Sequence, residues 1–95
     1  MRVRSMFGGY GFYLGGAFFG IIWKGQLFFK TDDETRVEYL AEGSIPFDPP
    51  GPHRGKTSMT YYRVPESVFE HAEELQAWAK RSAQVANLTA KKKLL

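Results

Sequence analysis

The first third of the chain alternates apolar residues with glycine or polar residues, which is the pattern of β-strands. Val3–Leu14 is predicted to form one long strand that bends at Gly8–Gly9, because adjacent glycines inside a strand mark a bulge or a bend. Gly15–Gly16 has the chemistry of a two-residue hairpin turn, since glycine adopts positive φ without steric cost. Ala17–Lys24 and Gln26–Thr31 follow as the next two strands. The pattern therefore predicts an antiparallel meander of three strands.

The second of these strands is apolar on both faces. Strict alternation places Phe19, Ile21 and Trp23 on one face. Phe18 and Ile22 then lie on the other. A strand with one solvated face alternates apolar with polar residues, and this strand does not. Each face must be covered, and we expect a partner chain to supply one of the two covers. The candidate protein interface consists of Phe18, Phe19, Ile21 and Trp23.

After the third strand the apolar spacing changes to that of a helix. A capping box with Thr31 as N-cap and Glu34 at N3 begins a short helix, and Gly43 is suited to end it. Residues 44–56 contain four prolines and two glycines, which indicates a loop. Thr57–Val64 returns to the pattern of a strand.

The last third of the chain is predicted to be helical. Residues 65–69 form a helical turn that Pro65 begins. The main helix is predicted over Ala72–Ala86, with residues 90–95 frayed. Its apolar and small side chains share one stripe: Leu75, Trp78, Ala79, Ser82 and Ala86. Together these elements predict a two-layer α+β fold with a single domain over residues 1–90 and a basic tail over residues 91–95.

Composition narrows the classes of protein that fit. The chain has 95 residues, a net charge of +3 and no cysteine. That length builds one core, and the lack of cysteine excludes disulfides, thiol catalysis and cysteine-ligated metal. No segment reaches the roughly 18 apolar residues that a membrane helix needs, and the N-terminus lacks the apolar core of a signal peptide. We therefore expect a cytoplasmic protein.

The glycine-rich stretch fails the ligand-binding motifs that it approaches. Leu14 stands where a dinucleotide or kinase glycine loop needs its last glycine, and a strand follows where phosphate binding needs a helix. Gly9-Tyr10-Gly11-Phe12 resembles the core of an RNA-binding signature, but Gly8 replaces its basic residue and Gly15 its final aromatic. We therefore interpret these aromatics as part of the sheet core.

The remaining polar candidates have simpler interpretations. The acidic run at residues 32–34 is placed to cap a helix, and no second group of oxygen ligands completes a metal site. His53 and His71 stand apart from any nucleophile pattern. Lys91–Lys93 is typical of a solvated tail, with weak nucleic-acid contact as the alternative. The residues therefore predict no catalytic, cofactor-binding or metal-binding site.

The order of several motifs resembles one protein family, the TfoX (Sxy) N-terminal domain family of bacterial proteins linked to natural competence. The matching segments are Arg4-Ser5-Met6-Phe7-Gly8-Gly9-Tyr10-Gly11, Leu27-Phe28-Phe29-Lys30 with Asp32, Gly43 with Pro46-Phe47, Met59-Thr60-Tyr61-Tyr62-Arg63-Val64-Pro65 and Leu75-Gln76-Ala77-Trp78-Ala79. The structural motif of the family falls on Met6, Phe7, Gly8, Gly9, Tyr10, Gly11, Tyr61, Pro65 and Trp78.

The resemblance implies a two-layer α+β fold similar to the secretion-chaperone architecture, which often forms homodimers, and no enzyme activity. Family members with a second, helical domain act as transcriptional coactivators with an activator of the cyclic-AMP receptor type. Relatives usually carry a helix before the Arg-Val-Arg strand, which here follows Met1 directly. Either the start lies further upstream, or the chain is shortened, or this protein lacks that helix. Its loss would uncover part of one sheet face, which a second copy would then cover.

Three hypotheses follow. The first is a non-enzymatic regulatory or adaptor domain that acts through protein contacts, as a homodimer and with a transcription activator as a further partner. The second is a weak nucleic-acid-binding domain that uses the sheet aromatics with Arg2, Arg4, Lys91, Lys92 and Lys93. The third is a small-molecule binder or unrecognised enzyme in which residues 44–56 act as a lid.

Overall fold

The computed structural model describes residues 2–6, 8–47 and 60–94, and within these ranges it describes only the backbone of Met6 and of residues 90–94. The elements in chain order are β1 (Arg2–Met6), β2 (Gly9–Leu14), β3 (Ala17–Trp23), β4 (Gln26–Lys30), α1 (Arg36–Ala41), β5 (Tyr61–Arg63), α2 (Glu66–Phe69) and α3 (Ala72–Leu94). The strands form one antiparallel sheet in the order β1-β2-β3-β4-β5. The predicted α+β class is confirmed.

The sheet differs from the predicted meander at its beginning. Val3–Leu14 is two strands rather than one bent strand, because the chain reverses direction and pairs Met6 with Gly9. Gly8 lies in this connection with φ of +84°, in the left-handed region that favours glycine. Gly8 therefore lies in a hairpin turn and Gly9 begins the next strand, so the meander has one strand more than predicted.

The other strand limits shift by smaller amounts. Gly15 and Gly16 have positive φ and form the predicted turn between β2 and β3. Strand β3 ends one residue before the predicted Lys24, which instead shares a turn with Gly25 at φ of 51° and 75°. Strand β4 ends at Lys30. Of the predicted strand Thr57–Val64, residues 61–63 form β5 and residues 57–59 lie outside the described residues.

A β-bulge in β3 determines which side chains share a face. Phe12 is paired with Gly20 and its neighbour Tyr13 with Phe18, so Phe19 has no partner across β2. One extra residue reverses the alternation beyond it. The predicted grouping of Phe19 with Ile21 and Trp23 is therefore wrong: Phe19 faces α3, whereas Ile21 and Trp23 belong to the other face.

One face of the sheet, here called the helix face, is covered by α3 along β3 and β4. The buried residues of this core are Ala17, Phe19, Phe29, Tyr39, Val64, Val68, Ala83 and Ala86. Tyr39 of α1 joins this core through an edge-on ring contact with Trp78 at 4.6 Å and a contact of 3.4 Å between its hydroxyl and Ser82 Oγ. Helix α3 continues to Leu94, eight residues beyond the predicted end at Ala86.

The opposite side of the sheet, here called the outer face, has a smaller core made of Ile21, Phe28, Phe47 and Tyr61. The segment before residue 48 lies beside β5, where the Phe47 N–H donates to the Tyr61 carbonyl oxygen at 2.7 Å. The Phe47 ring then packs edge-on against Phe28 at 5.1 Å and reaches Trp23 at 6.3 Å. The chain itself therefore covers this part of the outer face.

Helix α1 begins at Arg36 rather than directly after Thr31, and its N-cap residue Thr35 makes no side-chain capping hydrogen bond, so the predicted capping box does not form at the helix start. Asp32 and Thr35 instead close the turn before the helix. The Asp32 carboxylate accepts the Thr35 N–H at 2.8 Å, and the Thr35 hydroxyl accepts the Asp32 N–H at 3.0 Å. Thr31 instead donates its hydroxyl to the Thr60 carbonyl oxygen at 3.0 Å. At the other end Gly43 has φ of +75°, and the Ser44 N–H donates to the Tyr39 carbonyl oxygen as in a Schellman motif.

Candidate protein interface on the helix face

The sequence-predicted interface residues lie in two different cores of the chain. Phe19 is 5% exposed in the core beneath α3, and Ile21 is 2% exposed in the core of the outer face. Phe18 and Trp23 are half-buried and pack against the outer-face core. The structure thus places Phe18, Ile21 and Trp23 together at the outer-face core and separates Phe19 from them.

An exposed apolar strip occupies the other half of the helix face, on β1 and β2. Val3 and Tyr10 are each 52% exposed, and Leu14 is 43% exposed. Val3 is paired with Phe12 and Leu14 with the core residue Ala17, so the register places them on the face that α3 covers over β3 and β4. These three residues are here called the apolar strip.

A cavity of about 190 Å³ lies next to the apolar strip, between α3 and the sheet. Its lining consists of Phe12, Phe19, Leu27, Phe29, Leu75, Gln76 and Ala79. Six of these seven residues are apolar, and the site holds no charged group. Such a site has the chemistry to accept an apolar side chain, because dry apolar cavities bind apolar groups.

Close packing beside the cavity fixes the position of its floor. A Cβ atom at Gly20 would lie 3.3 Å from the rings of both Phe12 and Phe29. The glycine therefore lets the two rings approach each other over β3. Phe19, displaced by the bulge, packs against the same rings at centroid distances of 6.4 and 6.0 Å. The aromatic floor is thus a consequence of the bulge and of Gly20.

A second, polar cavity of about 380 Å³ bears on the small-molecule hypothesis. It is lined by Glu42, Gly43, Ser44, Ile45, Arg63, Pro65, Glu66 and Ser67. The Ser67 hydroxyl donates to Glu42 at 3.3 Å, and His71 Nδ1 lies 2.7 Å from the Ser67 carbonyl oxygen rather than from the Ser67 hydroxyl. Within the described residues this cavity lacks a paired nucleophile and base. Residues 48–56 of the predicted lid, with His53, lie outside the described residues.

The predicted nucleic-acid contacts are divided between two parts of the fold. Arg2 and Arg4 are exposed on β1. They are paired with Tyr13 and Gly11, on the outer face. Lys91–Lys93 belongs to α3, which packs on the helix face. The two arginines therefore face one side of the sheet, and the helix that carries the lysine run packs on the other side.

The acidic run at residues 32–34 lies in the turn that leads into α1. The Thr35 N–H that Asp32 accepts holds the pKa of its carboxyl below its usual value of 3.8. Among the residues that the structure describes, no three His, Cys, Asp or Glu side chains are grouped so that they could hold a metal ion. The described helices also include none that is long and apolar enough to cross a membrane.

The residues of the sequence motif hold the scaffold together. A Cβ atom at Gly9 would meet the carbonyl oxygen of Ile22, so glycine is needed where β2 approaches β3. The Tyr61 hydroxyl donates to the Phe18 carbonyl oxygen at 2.9 Å, which joins β5 to β3. Pro65 precedes the first residue of α2, and Trp78 packs on Tyr39. Phe7 lies outside the described residues, as does the side chain of Met6.

Sequence reasoning missed the apolar strip, although one signal for it was present. Alternation already places Tyr10, Phe12 and Leu14 on one face of their strand. Which face the C-terminal helix covers, and how far across the sheet it reaches, depends on tertiary packing. The sequence therefore predicted that these residues share a face, but it did not predict that the face is exposed at this point.

Comparison with known proteins gives one result at the level of the family. No curated protein matches the chain. The model of the TfoX N-terminal domain matches residues 1–86, which is most of the chain and includes the apolar strip, the bulge and the cavity. The chain therefore belongs to the TfoX N-terminal domain family.

Proposed function

We propose that this chain is a non-enzymatic regulatory or adaptor domain that works in the cytoplasm through protein contacts, and that two copies associate through the apolar strip. The observation that carries the proposal is the exposure of Val3, Tyr10 and Leu14 beside a cavity of about 190 Å³ with no charged group. Membership of the TfoX N-terminal domain family supports a competence-related regulatory role at the level of the family.

The apolar strip suits self-association because it is uncharged. A two-fold axis brings a patch against its own copy, so a charged patch repels itself and an apolar patch does not. Each strip residue is about half exposed, and its burial is worth roughly 1 kcal/mol. A two-fold contact buries the strip residues of both copies, so each residue contributes two times. The cavity at Phe12 also provides space for a side chain of the second copy.

The edge of the sheet is less suited to this association. Strand β1 is an edge strand, and two copies could in principle join their edges into a larger sheet. The antiparallel register that uses all of Arg2–Met6 would place Arg4 opposite Arg4 of the second copy. Like charges directly opposite each other destabilise strand pairing. The arginines of β1 therefore favour association through the helix face over association through the edge.

Contact with a transcription activator is the regulatory step that the family resemblance implies. An apolar, uncharged strip beside a cavity is also a surface that accepts an apolar side chain of another protein. In this proposal the homodimer is the resting form, and the activator either binds at its rim or replaces the second copy.

Light scattering on the purified chain tests the proposal. We expect a mass of twice the 10.8 kDa of one chain at micromolar concentration. The double variant Val3→Asp and Leu14→Asp would place two carboxylates in the contact, and we expect it to be a folded monomer. Both side chains are exposed in the single chain, so their replacement leaves the core intact.

A matched control uses the same substitutions on another exposed surface. Val37 and Leu40 of α1 are 63% and 54% exposed. The double variant Val37→Asp and Leu40→Asp should keep the dimer mass. A monomeric wild-type chain would contradict the proposal, as would equal loss of the dimer in the two double variants. Circular dichroism on both variants would show that their folds are retained.

A further inference from the structure

The charges of this chain are segregated between the sheet and the rest of the fold. All ten acidic residues occur between Asp32 and Glu74, and none lies in a described strand. The charged residues of the five strands are Arg2, Arg4, Lys30 and Arg63, all of them cationic. Their register partners are Tyr13, Gly11, Tyr61 and Phe28, which place all four on the outer face. All the charged strand residues on the outer face are therefore positive.

Aromatic rings lie between these cations in one row across the sheet. The Arg2 guanidinium is 6.0 Å from the Tyr13 ring, and the Tyr13 ring is 5.0 Å from the Phe18 ring. The Phe18 ring is 5.2 Å from the ring of Tyr61, over which Lys30 Nζ lies at 5.1 Å. The row therefore begins and ends with a cation and has three contacting rings between them.

The row is anchored at its buried end by Tyr61 and is accessible to solvent at the end formed by β1 and β2. Tyr61 is buried, and its hydroxyl donates to the Phe18 carbonyl oxygen at 2.9 Å, so it anchors the row. Tyr13 and Phe18 are half-buried, and Arg2 and Arg4 are exposed. Phe47 covers a different part of the outer face, over Phe28 and Trp23.

Accessible rings on a sheet with cations on either side of them are the combination that binds single-stranded nucleic acid. The cations track the phosphates and the rings stack with the bases, whatever their sequence. An acidic peptide would use the cations but would leave the rings without a role. We propose that the outer face beside the β2–β3 turn binds single-stranded nucleic acid, with Arg2 and Arg4 on phosphates and Tyr13 and Phe18 under bases. This site is independent of the proposed dimer contact, because it lies on the other face of the sheet.

Fluorescence anisotropy with a labelled oligothymidylate of about 16 nucleotides, titrated with the full chain at several salt concentrations, tests the site. We expect affinity that falls with salt. The double variant Arg2→Ser and Arg4→Ser should weaken binding and reduce the slope of log affinity against log salt by about 1.4, since each single-strand phosphate contact contributes about 0.7. Tyr13→Leu, which keeps the apolar packing and removes the ring, should weaken binding about fivefold or more.

The double variant Lys92→Ser and Lys93→Ser is the matched control, because it removes the same charge from α3. It should leave the affinity and the salt slope near those of the wild-type chain. Absence of binding at low salt would overturn the proposal, and so would equal losses in the two double variants. Polyglutamate bound as tightly as the oligonucleotide, with no effect of Tyr13→Leu on either, would assign the face to acidic proteins instead. Thermal unfolding of each variant separates lost contacts from a lost fold.

Discussion

A Cβ atom at position 9 would overlap the carbonyl oxygen of Ile22, because β2 and β3 bring their backbones together at Gly9. The ring of Trp23 closes the same site, with its Cε3 atom 3.2 Å from that Cβ position. The contact with Ile22 is with backbone, which no side-chain rotation relieves, so the strands would have to separate.

We therefore expect Gly9→Ala to lower the free energy of unfolding by about 3 kcal/mol. Urea denaturation of the variant and the wild-type chain measures the loss. Gly16→Ala is the control, since Gly16 has φ of +81° and no atom within 4 Å of its Cβ position. It carries backbone strain alone, worth about 1–2 kcal/mol. A loss at Gly9 no larger than at Gly16 would contradict the steric explanation.

Phe47 covers the outer face, and its removal should expose that core. It is 1% exposed and packs edge-on against Phe28. Phe47→Ala is expected to cost about 3–5 kcal/mol, the range for a buried aromatic residue. Phe69→Ala removes the same side chain from a site that is 55% exposed and should cost less than about 1 kcal/mol. Equal costs in urea denaturation would show that Phe47 does not cover a core.

The hydrogen bond that Asp32 accepts in the turn before α1 gives the stability of the chain a dependence on acid pH. The Thr35 N–H lowers the pKa of the Asp32 carboxyl in the folded state below 3.8. This hydrogen bond therefore contributes fully above the unfolded-state pKa, and its contribution is lost as the pH falls through the lower folded-state pKa. Asp32→Ala should cost about 1 kcal/mol at neutral pH and progressively less on acidification.

Two other variants separate the charge of Asp32 from the hydrogen bond that it accepts. Asp32→Asn keeps a side-chain oxygen that can accept the Thr35 N–H and should retain most of the stability at neutral pH without the dependence on acid pH. Asp33→Ala removes an exposed carboxylate that pairs with Arg36 at 3.0 Å, and such pairs contribute little. Thermal unfolding at a series of pH values compares these variants, and an identical acid profile in Asp32→Asn and the wild-type chain would exclude the Asp32 carboxylate as its source.

Two buried tyrosines should make the fold sensitive to alkali. Burial raises the pKa of Tyr39 from 10.0 to about 12, and burial also raises the pKa of Tyr61. Both are therefore neutral in the fold at a pH where the unfolded chain is ionised. Their contribution to stability is complete below about pH 10 and is lost as the pH rises towards the folded-state values.

An alkaline titration followed by phenolate absorbance measures this effect on the five tyrosines of the chain. We expect Tyr39 and Tyr61 to ionise late, together with unfolding. Tyr39→Phe should reduce the late phase at a cost of about 1 kcal/mol for the lost contact with Ser82. Tyr10→Phe is the matched control, since Tyr10 is 52% exposed and its replacement should leave the late phase unchanged. A single phase for all tyrosines would contradict the burial of these two.

Local chemistry predicted the turns and helix ends that one residue type determines. Gly15, Gly16 and Gly43 each occupy the positive φ that their predicted role requires. The hairpin at Gly8 was missed because the same glycine pair also fits a bend inside a longer strand, and only pairing across the sheet distinguishes the two. The predicted N-cap at Thr31 is wrong, because the Thr31 hydroxyl donates to the carbonyl oxygen of Thr60, while Asp32 and Thr35 bond each other in the turn before α1.

The candidate surfaces depended on long-range packing and were less accessible to sequence reasoning. The apolar character of β3 on both faces correctly indicated two covered faces. It did not show that the second cover over Ile21 and Phe28 comes from Phe47 of the same chain, which is 19 residues beyond Phe28. The cation–aromatic row was equally hidden, because its members come from all five strands and meet only through the sheet register.

The bulge at Phe19 makes this the one position in β3 where a residue can be deleted without exchanging the two faces of the strand. Removing any residue of a regular strand exchanges the two faces for every residue on one side of the deletion. Removing Phe19 instead restores unbroken pairing, because Phe18 and Gly20 already face neighbouring residues of β2. The core on the helix face would lose the Phe19 ring, and all other residues of β3 would keep the face on which they lie. A homologue one residue shorter in β3 should therefore have its gap at Phe19.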